Sequence, residues 1–205
     1  ASSTTTIAGN LSVTGTGAGA SDIDGLSDAV SGIANFTNSL ILGHQTTGTL
    51  SSADQNTAVG YAAMDAIASG DDNTIMGYNA GSAVTSASDN VILGSGAGVT
   101  TTDVDGAVII GQGAGAANMT STADGSVLIG YQAGAAITTG ANNIAIGKNA
   151  MLNHGTGGPN IVIGNFAMDD TDAGGTSLAS EYNIFIGANV GGGTWADSRS
   201  DQNTA

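Results

Sequence analysis

A glycine returns through this chain at Gly43, Gly60, Gly77, Gly94, Gly111, Gly130, Gly147, Gly164 and Gly187, at spacings of 17, 17, 17, 17, 19, 17, 17 and 23 residues. The same octapeptide surrounds it each time. Asn56-Thr57-Ala58-Val59-Gly60-Tyr61-Ala62-Ala63, Asn73-Thr74-Ile75-Met76-Gly77-Tyr78-Asn79-Ala80 and Asn143-Ile144-Ala145-Ile146-Gly147-Lys148-Asn149-Ala150 are three copies, and Ser39 to Thr46 is a degenerate first one. Self-similarity at a short fixed period means one small unit per copy, stacked on its neighbours. The expected fold is all-β: a parallel β-solenoid (β-roll or β-helix) with 17-residue rungs. It divides into 1–38, an N-terminal strand and short helical neck; 39–190, nine rungs; and 191–205, a Gly-rich linker with the start of a further rung. Asp201 to Ala205 repeats Asp54 to Ala58 letter for letter, so the chain is expected to be a piece of a longer repeat protein.

Aligning the copies on the glycine assigns a task to each column. Three residues before it stand Thr57, Thr74, Val91, Val108, Val127, Ile144, Ile161 and Ile184; one before it stand Val59, Met76, Leu93, Ile110, Ile129, Ile146, Ile163 and Ile186. Residues two apart on a strand share a side, and these two columns are assigned to the core. The column between them (Ala58, Ile75, Ile92, Ile109, Leu128, Ala145, Val162, Phe185) is apolar as well. A strand apolar on both faces is buried on both faces. The coil covers one, and the economical cover for the other is a second copy of the chain, which points to a homotrimer. The glycine itself makes a corner. Ala63, Ala80, Ala97, Ala114, Ala133, Ala150 and Ala167, three residues on, suit an inside corner that admits only a methyl. Asn56, Asn73, Asn90, Asn143, Asn160 and Asn183 are expected to stack as a ladder of side-chain amides.

Ahead of the rungs, Gly9-Asn10-Leu11-Ser12-Val13-Thr14-Gly15 alternates with period two and predicts a short strand. Leu26, Ala29, Val30, Ile33 and Ala34 form a helical stripe, with Asp24 as its N-cap. A helix this short needs company. It suits a neck where several chains meet, and equally a cap on a single-chain solenoid.

Composition removes several function classes. The net charge is −15, and Lys148 and Arg199 are the only Lys and Arg. Nucleic-acid phosphates and anionic membrane surfaces therefore have nothing to bind. No apolar run is long enough to span a bilayer, so no membrane insertion is expected. There is no Cys, hence neither disulfide nor thiolate metal site.

At Asn143 to Ala150, and at Ser126-Val127-Leu128-Ile129-Gly130-Tyr131-Gln132-Ala133, the chain resembles the head repeats of trimeric autotransporter adhesins and the Asn-Thr-Ala-Ile-Gly-Tyr-type repeats of phage tail-fibre proteins. The likeness covers about residues 39–190. It implies parallel β-rolls associated as intertwined trimers in an extracellular appendage of a virion or cell. The adhesin repeat is shorter than 17 residues, and no membrane anchor or long stalk of that family has a counterpart here. The opening Gly-Asn-Leu-Ser-Val-Thr-Gly tilts the likeness towards a virion fibre.

Catalysis needs a nucleophile, base and orienter converging in a pocket. The only histidines, His44 and His154, belong to different rungs and read as surface loop residues. Gly94-Ser95-Gly96-Ala97-Gly98 and Gly111-Gln112-Gly113-Ala114-Gly115 look like phosphate loops but lack the strand–loop–helix unit and basic partner such loops need. No catalytic or cofactor-binding residue is expected. Asp54, Asp71, Asp105 and Asp124 stand six residues before the glycine, near Asp72, Asp89 and Asp103. Stacked carboxylates repel, and Ca²⁺ would relieve that; a solvated acidic rim is the simpler reading. Asp169-Asp170-Thr171-Asp172 is a second calcium candidate. The function expected is a non-catalytic fibre segment for host or surface attachment, with itself and a host-surface glycan or protein as partners. The alternatives are a monomeric solenoid binding ice or glycan, and a fibre-borne glycan depolymerase; Trp195 and Glu181, the only Trp and Glu, give the latter little to work with.

Overall fold

The computed structural model describes residues 5–7, 11–13, 29–31, 33–44, 47–169, 180–191 and 204. Each glycine-anchored copy contributes one three-residue strand. These are β4 (Leu40–Leu42), β5 (Thr57–Val59), β6 (Thr74–Met76), β7 (Val91–Leu93), β8 (Val108–Ile110), β9 (Val127–Ile129), β10 (Ile144–Ile146), β11 (Ile161–Ile163) and β12 (Ile184–Ile186). They pair in parallel and in chain order, each column on itself, as in Ile75↔Ile92↔Ile109. Thr204 continues the register through a parallel bridge to Ile184. Its counterpart in the second rung, Thr57, holds the same column. The fold is an all-β solenoid.

Two expectations are corrected. The helical stripe is not a helix where it is described: Ala29–Ser31 is a strand, β3, pairing antiparallel with β4 through Val30↔Ile41 and Ser31↔Leu40. Leu26 and the Asp24 cap lie outside the described residues. The open edge of β4 supplies hydrogen-bond partners that an isolated three-turn helix would have to do without. Phe36, which the stripe omitted, is fully buried under the first rung. Separately, β1 (Thr5–Ile7) and β2 (Leu11–Val13) form an antiparallel pair, β2 falling where period-two alternation expected a strand.

The second correction concerns the strand faces. The middle column points into the coil: Ile41, Ala58, Ile75, Ile92, Ile109, Leu128, Ala145, Val162 and Phe185 are all buried. The flanking columns assigned to the core face outward, half-buried or exposed. The reason is the asparagine. It is buried, it sits two residues before the middle column, and period two puts both on one side.

Interior volume is shared between the middle column and the residue four past the glycine. Where the middle residue is large (Ile75, Ile92, Ile109, Leu128, Phe185), that partner is Gly81, Gly98, Gly115, Gly134 or Gly191. A Cβ on Gly134 would stand 2.7 Å from Leu128 Cδ2, and one on Gly81 2.9 Å from Ile75 Cδ1. Where the middle residue is Ala58, Ala145 or Val162, the partner is Met64, Met151 or Met168, each fully buried. These methionines hold left-handed backbones (φ 58°, 53° and 49°). Left-handed backbone costs a non-glycine residue about 1–2 kcal/mol, which filling a core void offsets. The corner glycine is excluded from substitution more directly. Gly60 has φ 138°, and a Cβ there would meet the Gly77 carbonyl oxygen at 2.5 Å.

Candidate functional site

Three surfaces of the coil carry chemistry: the outer strand face, the column past the corner glycine, and the acidic edge. The outer face takes two side chains from each of β4 to β12. Only Thr57 and Thr74 among these eighteen are polar, the rest being Leu, Val, Met and Ile. Met76 is 51% exposed and Ile186 59%. With three residues per strand and strands about 4.8 Å apart, the face is about 10 Å wide and 40 Å tall, some 400 Å². Apolar surface that contiguous marks an interaction site on soluble proteins.

The column one residue past the glycine runs His44, Tyr61, Tyr78, Ser95, Gln112, Tyr131, Lys148, Asn165 and Ala188. Tyr61 and Tyr78 are exposed and stacked, with centroids 5.8 Å apart and planes 13° from parallel. Lys148 Nζ lies 6.0 Å from the Tyr131 ring centroid and 5.2 Å from that of Phe166. His44 Nε2 is 2.7 Å from the Ala63 carbonyl oxygen.

On the acidic edge the carboxylates accept backbone hydrogen bonds from the rung before. Asp54 takes the Thr37 hydroxyl at 2.6 Å and its N–H at 2.8 Å; Asp71 takes the Asp54 N–H at 2.7 Å. Ser88 Oγ takes the Asp71 N–H, Asp105 the Ser88 N–H and Asp124 the Asp105 N–H. The hydroxyl of Thr37, and then its N–H, hold the Asp54 carboxyl below its usual pKa. Asp72 and Asp89, one position further on, have left-handed backbones and project outward. Among the described residues no group of three acidic or His side chains is placed to hold a metal ion. Asp103 is half-buried beside the Thr102 hydroxyl, and Asp169 is the only member of its loop cluster among the described residues.

Inside the wall, the asparagines form the ladder expected of them. Asn73 Nδ2 donates to Asn56 Oδ1 at 3.0 Å, Asn90 to Asn73 at 3.0 Å, Asn160 to Asn143 at 3.1 Å and Asn183 to Asn160 at 3.0 Å. Each Oδ1 also accepts the backbone N–H of the next asparagine. Ala107 and Ser126 interrupt the column. His154 is not the surface residue expected of it. It is buried, seven residues past Gly147, in the column of Ile67, Val84, Thr101 and Ile137, with Nε2 3.1 Å from the Gly157 carbonyl. Burial lowers its pKa to about 4, against a smaller upward push from Gly157.

Comparison with family models, curated proteins and solved structures finds no match for the chain. The surfaces therefore speak for themselves. The structure brings the asparagines together and stacks the acidic column; it leaves His44 and His154 on separate rungs. No helix among the described residues is long and apolar enough to cross a membrane. The tyrosine column passed unremarked in the sequence, although its fixed offset from the glycine was a usable signal.

Proposed function

We propose that this chain is a structural segment of an extracellular fibre, a virion or cell-surface appendage, that associates as a homotrimer and serves attachment without catalysis. One observation carries the reading: the outer face of β4 to β12, apolar at sixteen of eighteen positions and solvent-facing in the single chain. A partner with the same columns at the same spacing matches that face rung for rung, and a second copy of the chain is such a partner. The strict column-on-column register gives a stiff rod, which suits a spacer. The resemblance of the octapeptide to adhesin-head and tail-fibre repeats supports the trimer and the extracellular setting. Calcium has no part in this assembly; the acidic edge keeps the rod soluble.

The test is the solution mass by light scattering, with and without a chelator. Three chains are expected, chelation leaving the mass unchanged, and Ile129→Lys with Ile146→Lys on the outer face should release single chains that keep their β-sheet circular dichroism. A monomeric wild-type chain would sink the proposal and favour a single-chain binding solenoid.

A further inference from the structure

The column past the corner glycine is broken in the middle, and the break is shaped like a binding site. Tyr78 and Tyr131 stand three rungs apart, which at strand spacing is about 14 Å. Between them the column holds Ser95 and Gln112, each followed by a glycine, Gly96 and Gly113. A Cβ on Gly96 would meet nothing within 4 Å, and one on Gly113 only Gln132 Cγ at 3.5 Å. The floor is therefore open backbone. It is also rigid, because Gly96 N–H donates to the Tyr78 carbonyl at 2.9 Å and Gly113 N–H to that of Ser95 at 3.1 Å.

An exposed tyrosine flanks this notch on each side. Tyr61 covers the far face of Tyr78, and Lys148 covers the far face of Tyr131. Tyr78 is 59% exposed and Tyr131 44%, so each keeps ring surface open to solvent. Among the described residues neither the Ser95 hydroxyl nor the Gln112 side-chain amide has a hydrogen-bond partner.

The geometry points to a binding site for a neutral carbohydrate that stacks a pyranose ring on Tyr78 and runs over Gly96 and Gly113 towards Tyr131. The negative face of a phenol ring attracts the weakly positive axial C–H bonds of a pyranose. A hydroxyl and a primary amide each both donate and accept, as sugar hydroxyls do. A pyranose stacked about 4 Å from the Tyr78 ring sets its linked neighbour edge to edge beside it, over the open backbone of Gly96 and Gly113. A purely apolar ligand would leave Ser95 and Gln112 stripped of water without partners. An anionic one would meet a chain of net charge −15. The notch lies wholly within one chain and beyond the corner from the outer strand face, so it does not rest on self-association.

Saturation-transfer NMR and calorimetry on the whole chain, with cellobiose, lactose and N,N′-diacetylchitobiose as probes, test this. At least one should bind. Tyr78→Ala should weaken it roughly tenfold, and Ser95→Tyr, which carries the aromatic column into the notch, should abolish it. Tyr182→Ala, an exposed tyrosine elsewhere, should change nothing, and circular dichroism of the variants controls for folding. No transfer to any probe at about 10 mM overturns the proposal, as does binding that survives both Tyr78→Ala and Ser95→Tyr. The outer-face variants separate the two readings, since they abolish the trimer and leave sugar binding intact.

Discussion

Two ladders run along this solenoid side by side, built alike and placed in different solvents. In each, a side-chain oxygen accepts a backbone N–H one rung away: Asn56 Oδ1 from Asn73 at 3.0 Å, Asp71 Oδ1 from Asp54 at 2.7 Å. The asparagine ladder is buried; the aspartate ladder lies at the solvent edge. Similar distances do not make similar energies. A net hydrogen bond contributes about 1 kcal/mol, but a buried group left unpaired costs about 1–3 kcal/mol, and only the inner ladder can leave one unpaired. The chemistry of the two columns follows. The inner one uses neutral amides, which both donate and accept, while the outer tolerates charge because water screens it.

The sharpest way to break the symmetry is to remove one rung of the inner ladder. Asn73→Ala strips the acceptor from the Asn90 N–H and the donor from the Ala87 carbonyl, both buried. The expected loss is about 3 kcal/mol, read as a shift in the urea midpoint at unchanged slope. A loss below about 1 kcal/mol would mean that water reaches the inner ladder and that burial is not what separates the two columns.

Nearly as large is the response to acid, and it too comes from inside. Burial holds the His154 pKa at about 4, below the ordinary 6.5. The unfolded chain therefore binds this proton first, so stability is complete above about pH 6.5 and falls as pH drops towards 4. The swing is about 3 kcal/mol, and His154→Val should flatten it. A wild-type melting temperature that stays level between pH 7 and pH 4 would contradict the buried, neutral imidazole.

These inner features explain what was legible beforehand and what was not. Strand positions were readable because the corner glycine recurs in sequence, and backbone contact between successive corners enforces it, Gly60 against Gly77. The face assignment failed although the clue was present. Asn56 and Ala58 share a side, and a ladder of stacked amides belongs inside, yet large side chains at Val59 and Thr57 drew the core to the wrong side. The pairing of Ala58 with Met64, and of Ile75 with Gly81, stayed hidden because volume compensation acts across the coil and not along the strand. The neck was misread because Ala29 to Ala34 satisfies helical spacing, whereas the decisive factor was an unpaired edge on β4. The hydrogen bonding of the acidic column stayed hidden as well, because spacing reveals proximity and not the backbone N–H groups that the carboxylate oxygens accept.

A smaller effect, of opposite sign, sharpens the same contrast. Thr101 is buried and its Oγ1 has no hydrogen-bond partner among the described residues, in the column that also holds Ile67, Val84, Ile137 and His154. Thr101→Val keeps the shape and removes the stranded hydroxyl. It should stabilise the chain by about 1 kcal/mol, measured by the same denaturation.

Smallest of all should be the loss of an outer rung. Asp71→Ala removes the acceptor of the Asp54 N–H, but water at the edge replaces it, so the cost stays under about 1 kcal/mol. The outer ladder's acid response is separable from that of His154 by its pH window. The Thr37 hydroxyl and N–H lower the Asp54 pKa, so its contribution is present above the ordinary carboxylate range and disappears as pH falls through the lowered value, beneath the His154 limb. In His154→Val any residual acid sensitivity should lie below about pH 4 and shrink again with Thr37→Val, which removes the hydroxyl while leaving the N–H. If Asp71→Ala instead cost as much as Asn73→Ala, the edge would be shielded from water. Packing of a second chain against it would then become the natural cause, and the acidic column would belong to the interface.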